Sequence, residues 1–308
     1  MVPILGTIAS SFDNTPAARG LFAGGYTVTN VIDYINIATT GNATDFGDLI
    51  TARAYGTGFG SATRGLFAHG YNGTSTYYNS IEYVTTATTG NATSFGNATL
   101  TGMYRGSCAS ATRGVMSGSY NNGAVTNVID YVTMGSEGNA IDFGDMLAEV
   151  FSGGGCSSPT RGLFGGFARY GTGNLARIEY ITIATTGNST NFGDKTTISA
   201  AHSSGISSST RGMWLGGFNG STNTNVIDYV TIASTGNATD FGDLINDNSG
   251  GSVSSSIRGV TANGYVGDAA TNSMEYITIA TTGNGTDFGD LTVSRYAISC
   301  ASNAHGGL

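Results

Sequence analysis

The segment 38–49 reads ATTGNATDFGDL. Close variants return at 87–98 (ATTGNATSFGNA), 135–146 (GSEGNAIDFGDM), 184–195 (ATTGNSTNFGDK), 233–244 (ASTGNATDFGDL) and 280–291 (ATTGNGTDFGDL). Working outward, each copy follows an acid–tyrosine pair: Asp33-Tyr34, Glu82-Tyr83, Asp130-Tyr131, Glu179-Tyr180, Asp228-Tyr229 and Glu275-Tyr276. Further upstream stands an Arg-Gly pair, at Arg19, Arg64, Arg113, Arg161, Arg211 and Arg258, with spacings of 45, 49, 48, 50 and 47 residues. One aromatic of the phrase stays in register throughout, as Phe46, Phe95, Phe143, Phe192, Phe241 and Phe288. A period near 50 in a β-rich chain is the mark of propeller blades, each burying its apolar faces against its neighbours.

One unit divides into four strands. RGLFAGG is a short apolar run ending in glycine, and NVIDYINIA is rich in β-branched and aromatic residues. TDFGDL is a shorter third strand, and ARAYGTGFGSAT leads into the next Arg-Gly as a fourth. No apolar pattern of period 3.6 survives ten residues, so no helix is expected. The expected fold is all-β: a single six-bladed propeller over residues 16–308, four antiparallel strands to a blade, with residues 1–15 as an added N-terminal arm.

The ends of the chain predict how the ring closes. Five residues before each internal Arg-Gly the position is apolar: Phe59, Cys108, Cys156, Ile206 and Val253. Asn14 breaks the series at the start, and Cys300, five residues before His305-Gly306, restores it. Residues 292–304 are therefore expected to complete blade one as its innermost strand. The same alignment puts all three cysteines in one apolar slot of different blades, where they read as free buried thiols.

Composition excludes several classes. Glycine is 49 of 308 residues and proline 3, with no Gly-X-Y period, which rules out collagen. Charged residues are 10% and the net charge is −8, with Lys195 the only lysine, so nucleic acid is not an expected partner. No apolar run approaches 18 residues, and residues 1–20 lack a basic and then apolar leader, so neither a membrane-spanning helix nor a secretory signal is expected.

The unit resembles the kelch repeat. LFAGG, VIDYI and NATDFGDL match its order of an apolar strand ending in a glycine pair, an acid beside a tyrosine, and an aromatic on the outer strand, with Phe46 and its equivalents where kelch has tryptophan. An arginine early in the next inner strand (Arg53, Arg105, Arg295) fits in half of the repeats. The resemblance implies a propeller with a binding surface and rarely a catalytic centre. The longer phrase, from TRGLF through NVIDY to ATTGNATDFGDL, resembles repeats in structural proteins of marine bacteriophages. That implies a non-enzymatic structural or host-recognition component of a virion: a fibre, an appendage or a capsid decoration. Its location would be the virion or otherwise an extracellular surface. Its partners would be other virion proteins or a host-surface protein or glycan, with no cofactor. The alternative is a lectin-like propeller or a propeller enzyme acting on carbohydrate.

The six acids sit on strands covered on both faces, so they are expected to be at least partly buried. They then need charge-assisted hydrogen bonds, from arginine or from backbone N–H. Six-fold recurrence argues that the acids and the Arg-Gly arginines are structural. No residue is assigned as catalytic or metal-ligating. Asp45-Phe46-Gly47 matches a kinase magnesium motif, but no other kinase signature is present. The pairs Asp45/Asp48, Asp142/Asp145, Asp240/Asp243 and Asp287/Asp290 suit turn capping, with calcium as the other reading. The Asn-X-Ser/Thr sites at Asn42, Asn91, Asn188, Asn237 and Asn284 follow from the repeat itself. His69, His202 and His305 share no context. What differs between blades is the loop joining the first two strands of each unit, longest and most aromatic at 71–80 (YNGTSTYYNS) and 167–177 (FARYGTGNLAR). Loops on a rigid scaffold carry recognition, so Tyr71, Tyr77, Tyr78, Tyr120, Arg169 and Tyr170 are the candidate contact residues.

Overall fold

In a computed structural model the described residues are 17–171, 173–198, 204–247, 250–266 and 269–308. They form six four-stranded antiparallel sheets arranged as the blades of a β-propeller, with no helix among them. The expected arm at 1–15 lies outside the described residues. Blade two shows the plan: inner strand Thr57–Gly60, then Arg64–Ala68, Ser80–Thr85 and outer strand Thr93–Asn97. Blade one takes its inner strand from the far end of the chain. Ser299–Ser302 pairs antiparallel with Arg19–Ala23, Cys300 opposite Phe22. The ring is thus closed by the C-terminal strand, as the break in the apolar series predicted.

The cysteine alignment needs a correction. Phe59 lies opposite Leu66, Cys108 opposite Val115 and Cys156 opposite Leu163, whereas Leu21, the equivalent partner in blade one, faces Ala301. Cys300 is therefore one residue out of register with Cys108 and Cys156, and a one-residue shift turns a side chain to the other face of the sheet. Cys108 and Cys156 point at Gly162 and Gly212 of the following blades, while Cys300 points back at Gly251 of blade six. The spacing to His305-Gly306 misled because the chain bends away after Ser302. All three thiols are free, Cys108 and Cys156 buried and Cys300 half-buried.

The repeated phrase is an inter-blade clamp. In blade two the Gly90 N–H donates to the Phe46 carbonyl of blade one (2.8 Å), and the Ala92 N–H donates to the Asp48 carbonyl (2.8 Å). The Asp48 N–H in turn donates to Asn91 Oδ1 (3.0 Å). The last clamp joins blade one to blade six through Gly41 N–H to Phe288 O and Asp290 N–H to Asn42 Oδ1. Gly47 must be glycine: its φ is +144° and a Cβ there would lie 2.5 Å from the Gly90 carbonyl oxygen.

The other repeated residues form columns at the same interfaces. Each Arg-Gly guanidinium lies over the tyrosine of its blade, from 4.9 Å for Arg19 over Tyr34 to 4.3 Å for Arg258 over Tyr276. The tyrosine meets the outer-strand phenylalanine edge-on, as Tyr34 does Phe46 at 5.8 Å and Tyr131 does Phe143 at 5.9 Å. Each arginine also donates to a carbonyl of the next blade. Arg19 reaches Thr86, Arg64 reaches Met134, Arg113 and Arg161 reach Ile183 and Ile232, Arg211 reaches Ile279, and Arg258 closes the circle on Ala38.

The six acids are buried in a separate ring, and the Arg-Gly arginines do not pair with them. Each acid accepts the backbone N–H of the preceding blade two residues after its Phe-Gly-Asp/Asn triplet. Asp33, Asp130 and Asp228 grip Thr292, Thr99 and Thr196, and take the threonine hydroxyl as well. Glu82, Glu179 and Glu275 grip Ile50, Leu147 and Ile245, which have no hydroxyl to offer. Asp with Thr alternates with Glu with Ile or Leu around the ring: the shorter carboxylate takes the amide and hydroxyl of one threonine, and the longer one takes the amide of an apolar residue and finds its other donors elsewhere, as Glu179 does at Ser189 and Glu275 at Asn246. Cations come from elsewhere: Arg295 on Asp33 (3.0 Å), Arg53 on Glu82, Arg105 on Asp130 (2.9 Å), Arg177 on Glu179 and Lys195 on Asp228 (3.9 Å). Among the described residues Glu275 has no cation in range and takes the Asn246 backbone and side-chain N–H instead.

Candidate functional site

Blade-specific tyrosines gather on one face. The loop joining the second and third strands of a blade and the loop entering its inner strand meet there. In blade two Tyr71 and Ala54 exchange two backbone hydrogen bonds across this contact (2.9 and 3.0 Å). The same bridge recurs as Tyr26 with Tyr296, Met103 with Tyr120 and Phe151 with Ala168.

An arc of aromatic rings results. From blade four inward, Tyr170 lies 6.3 Å from Tyr120, Tyr120 5.3 Å from Phe151, Phe151 5.9 Å from Tyr104, and Tyr104 4.6 Å from Tyr55. Tyr55 then meets Tyr26 (6.1 Å) and Tyr296 (6.3 Å), and Tyr296 meets Tyr265 of blade six (5.2 Å). The arc runs along the mouth of the central channel, where the backbones of Tyr55, Tyr104 and Ser152 link blade to blade. The Tyr55 N–H donates to Ala297 O, the Tyr104 N–H to Tyr55 O and the Ser152 N–H to Tyr104 O. Tyr55, Tyr104 and Ser152 hold positive φ of 58°, 58° and 68°, a cost the surrounding bonds sustain.

Of the residues expected to make contact, Tyr120 and Tyr170 belong to this arc, Tyr170 at 66% exposure. Tyr71 and Tyr77 stack on each other at 4.9 Å in blade two. Arg169 is exposed beside Tyr170. Tyr78 differs: its ring packs against the Arg53 guanidinium (5.5 Å), the cation of Glu82, and so belongs to the scaffold. The reading of loops alone missed Tyr26, Tyr55, Tyr104, Phe151, Tyr265 and Tyr296. A signal existed for four of them: RAYG, MYRG, VFSG and RYAIS all place an aromatic just before a Gly- or Ser-rich inner strand.

The arc is neutral. Burial raises the Tyr55 hydroxyl, reinforced by Tyr104 and by hydrogen bonds to Tyr296 and Tyr104; burial also pushes Tyr104 up to about 12. Both are phenols at pH 7. Below them lies an axial cavity of about 170 Å³, lined by inner-strand backbone, by hydroxyls such as Thr57, Ser107 and Ser252, and at its edges by Arg105 and His305. Behind the arc His69 lies between Arg53 and Arg105. Its Nε2 is 3.0 Å from Arg105 Nη1, and burial together with both guanidiniums holds its imidazole down to about 3. Among the described residues no three His, Cys, Asp or Glu side chains group as metal ligands, and the Asp45/Asp48 turn is occupied by the inter-blade clamp. An aromatic, partly exposed face of this kind can bind by ring stacking and by hydroxyl hydrogen bonds.

The fold and this face define the class: a six-bladed β-propeller whose repeated residues build the ring and whose blade-specific tyrosines crowd one side. No protein-family model and no curated protein matches the chain.

Proposed function

We propose that the chain is a non-enzymatic, rigid binding scaffold that holds its partner on the aromatic face around the channel mouth. One observation supports this reading above others. Every motif that repeats six times is engaged in joining blades, whereas the blade-specific tyrosines converge on a single surface. Rigid aromatics with polar tips suit recognition because they present large area at small entropic cost.

The resemblance of the repeats to kelch repeats and to those of bacteriophage structural proteins is the support for the biological frame proposed: a host-recognition or structural part of a virion, carried as a fibre, appendage or decoration. Its partner would be another virion protein or a host-surface protein or glycan. A lectin-like role is the second reading, favoured by tyrosines bordering a hydroxyl-lined cavity.

Imaging of the particle that carries the chain, with attachment assays on variants, tests the proposal. A bound partner should cover the arc and bury about 800 Å² of the propeller. Tyr170→Ala and Tyr77→Ala should each weaken attachment by about 1–2 kcal/mol. A neighbour seated on the opposite face, with the arc bare and both variants fully active, would reject this reading. Glycan-array binding by the isolated chain, lost with Tyr120→Ala, would select the lectin reading.

A further inference from the structure

The opposite end of the channel holds a second built site. There the inner strands finish at equivalent residues: Gly60, Ala109, Ser157, Ser207, Ser254 and Ser302. The four serines form a belt. Ser157 Oγ donates to Ala109 O (2.7 Å), Ser207 Oγ to Ser157 O (2.8 Å), Ser254 Oγ to Ser207 O (3.1 Å) and Ser302 Oγ to Ser254 O (2.8 Å). Ala109 has no hydroxyl with which to reach the Gly60 carbonyl. That carbonyl is met instead by His305 Nε2 at 2.8 Å.

The partners define the state of the ring. A carbonyl can only accept, so Nε2 carries the proton; Nδ1 accepts the Gly307 N–H (3.1 Å) and must be bare. The segment then crosses the axis: the Gly306 N–H donates to Ser207 O of blade five (3.0 Å), while His305 holds blade two. Its start is fixed to blade one by the Arg19 N–H donating to Asn303 Oδ1 (2.7 Å). Only glycine fits at 306 and at 307: a Cβ on Gly306 would lie 2.1 Å from Ser208 O, and one on Gly307 1.9 Å from Ala109 O.

We infer that this end of the channel is a binding site for the His305–Gly307 segment, which plugs the channel there and stays docked only while the imidazole is neutral. The strand ends packed around the ring present carbonyls and hydroxyls. The titratable side chains on those strands, Cys108, Cys156 and Cys300, point into blade interfaces at Gly162, Gly212 and Gly251, and among the described residues no carboxylate pairs with the imidazole. Burial lowers the His305 pKa, against a smaller opposing contribution from its bond to Gly60. The sign follows: a depressed folded-state pKa makes docking complete above the free value near 6.5, and docking weakens as pH falls below it. One pH unit below that value, the undocked segment gains by up to about tenfold, the limit reached when the docked imidazole stays neutral. The plug does not depend on what the aromatic face binds.

Hydrogen exchange of the whole chain tests this, with rates corrected for intrinsic pH dependence. The Gly306 and Gly307 amides should be protected at pH 7.5 and lose up to about tenfold of that protection by pH 5.5. In His305→Ala, and in Gly307→Val, which keeps the imidazole but blocks the cleft, the amides of residues 306 and 307 should be unprotected at either pH while the Arg19–Ala23 amides stay protected. Unchanged protection across pH in the natural chain, or protection retained in either variant, would overturn the inference. Nitrogen NMR of the natural chain decides independently of any variant. A single Nε2–H tautomer titrating below 6.5 supports the plug, and a mixed tautomer titrating near 6.5 removes it.

Discussion

At the scale of single residues, the buried acids show how little latitude the interfaces leave. Asp130 and Arg105 are both wholly buried and 2.9 Å apart, with Thr99 completing the carboxylate. Asp130→Ala leaves Arg105 charged and unpaired, and should cost about 3–5 kcal/mol in denaturant unfolding. Burial alone would raise the Asp130 carboxyl, but Arg105, His69 and the Thr99 donors outweigh it and hold the group below the usual carboxylate range. Its stabilising contribution is therefore complete at neutral pH and is lost as pH falls through that lowered value; in Asp130→Asn this part of the acid transition should vanish. The alternation of Asp–Thr with Glu–Ile or Glu–Leu makes a sharper claim. Thr99→Ile and Asp130→Glu should each destabilise, and the double variant, which copies the Ile50–Glu82–Arg53 arrangement of blade one and blade two, should recover about 1–2 kcal/mol of coupling. Strict additivity in that cycle would show that the alternation has no energetic basis.

At the scale of elements, two devices carry the ring. The first is the closing strand. Removing residues 297–308 keeps Arg295 on Asp33 but strips the inner strand from Arg19–Ala23, leaving an open edge beside Phe22. Unpaired edges are templates for association, so the truncated chain should aggregate or melt well below the full one. Equal melting temperatures would contradict closure by this strand. The second device is the clamp of the repeated phrase. Gly47→Ala forces a Cβ onto the Gly90 carbonyl at unfavourable φ and should cost about 2 kcal/mol, whereas Gly90→Ala, with open space at its own Cβ position, should cost less. Stability curves of the two variants compare them directly.

At the scale of the whole molecule, every blade is bonded to the next by clamp, arginine, acid and core. The apolar clusters themselves straddle interfaces: Leu21 and Phe46 pack with Phe67 and Val84, and Cys108 and Phe143 with Phe164 and Ile181. Loss of one interface opens the ring, so the propeller should unfold in a single transition, unlike an open array whose repeats can fray separately. Calorimetry of Asp130→Ala should show one peak moved down; two resolved peaks would show that the blades are independent. The same closure keeps the aromatic arc preorganised, which is what the binding proposal requires of it.

The periodicity of the phrase at 38–49, its register with Arg-Gly and Asp/Glu-Tyr, and the break at Asn14 determined the blade count, the strand order and the closure, because a repeat that must bury itself against copies of itself writes its spacing into the chain. Burial of the six acids was legible too, from their place on doubly covered strands. Their partners were only partly legible: Arg53 and Arg295 stand at the same distance after Phe46 and Phe288, but Arg105, Arg177 and Lys195 share no such offset, and only the pairing of neighbouring blades brings them in. The slip at Cys300 arose where the last repeat has no Arg-Gly to mark its register. Tyr120 and Tyr170 could be read from their loops, but only the tertiary structure joined them into the arc that runs to Tyr265 and carried His305 across the channel, because both bring together residues of different blades at the axis where all six inner strands meet.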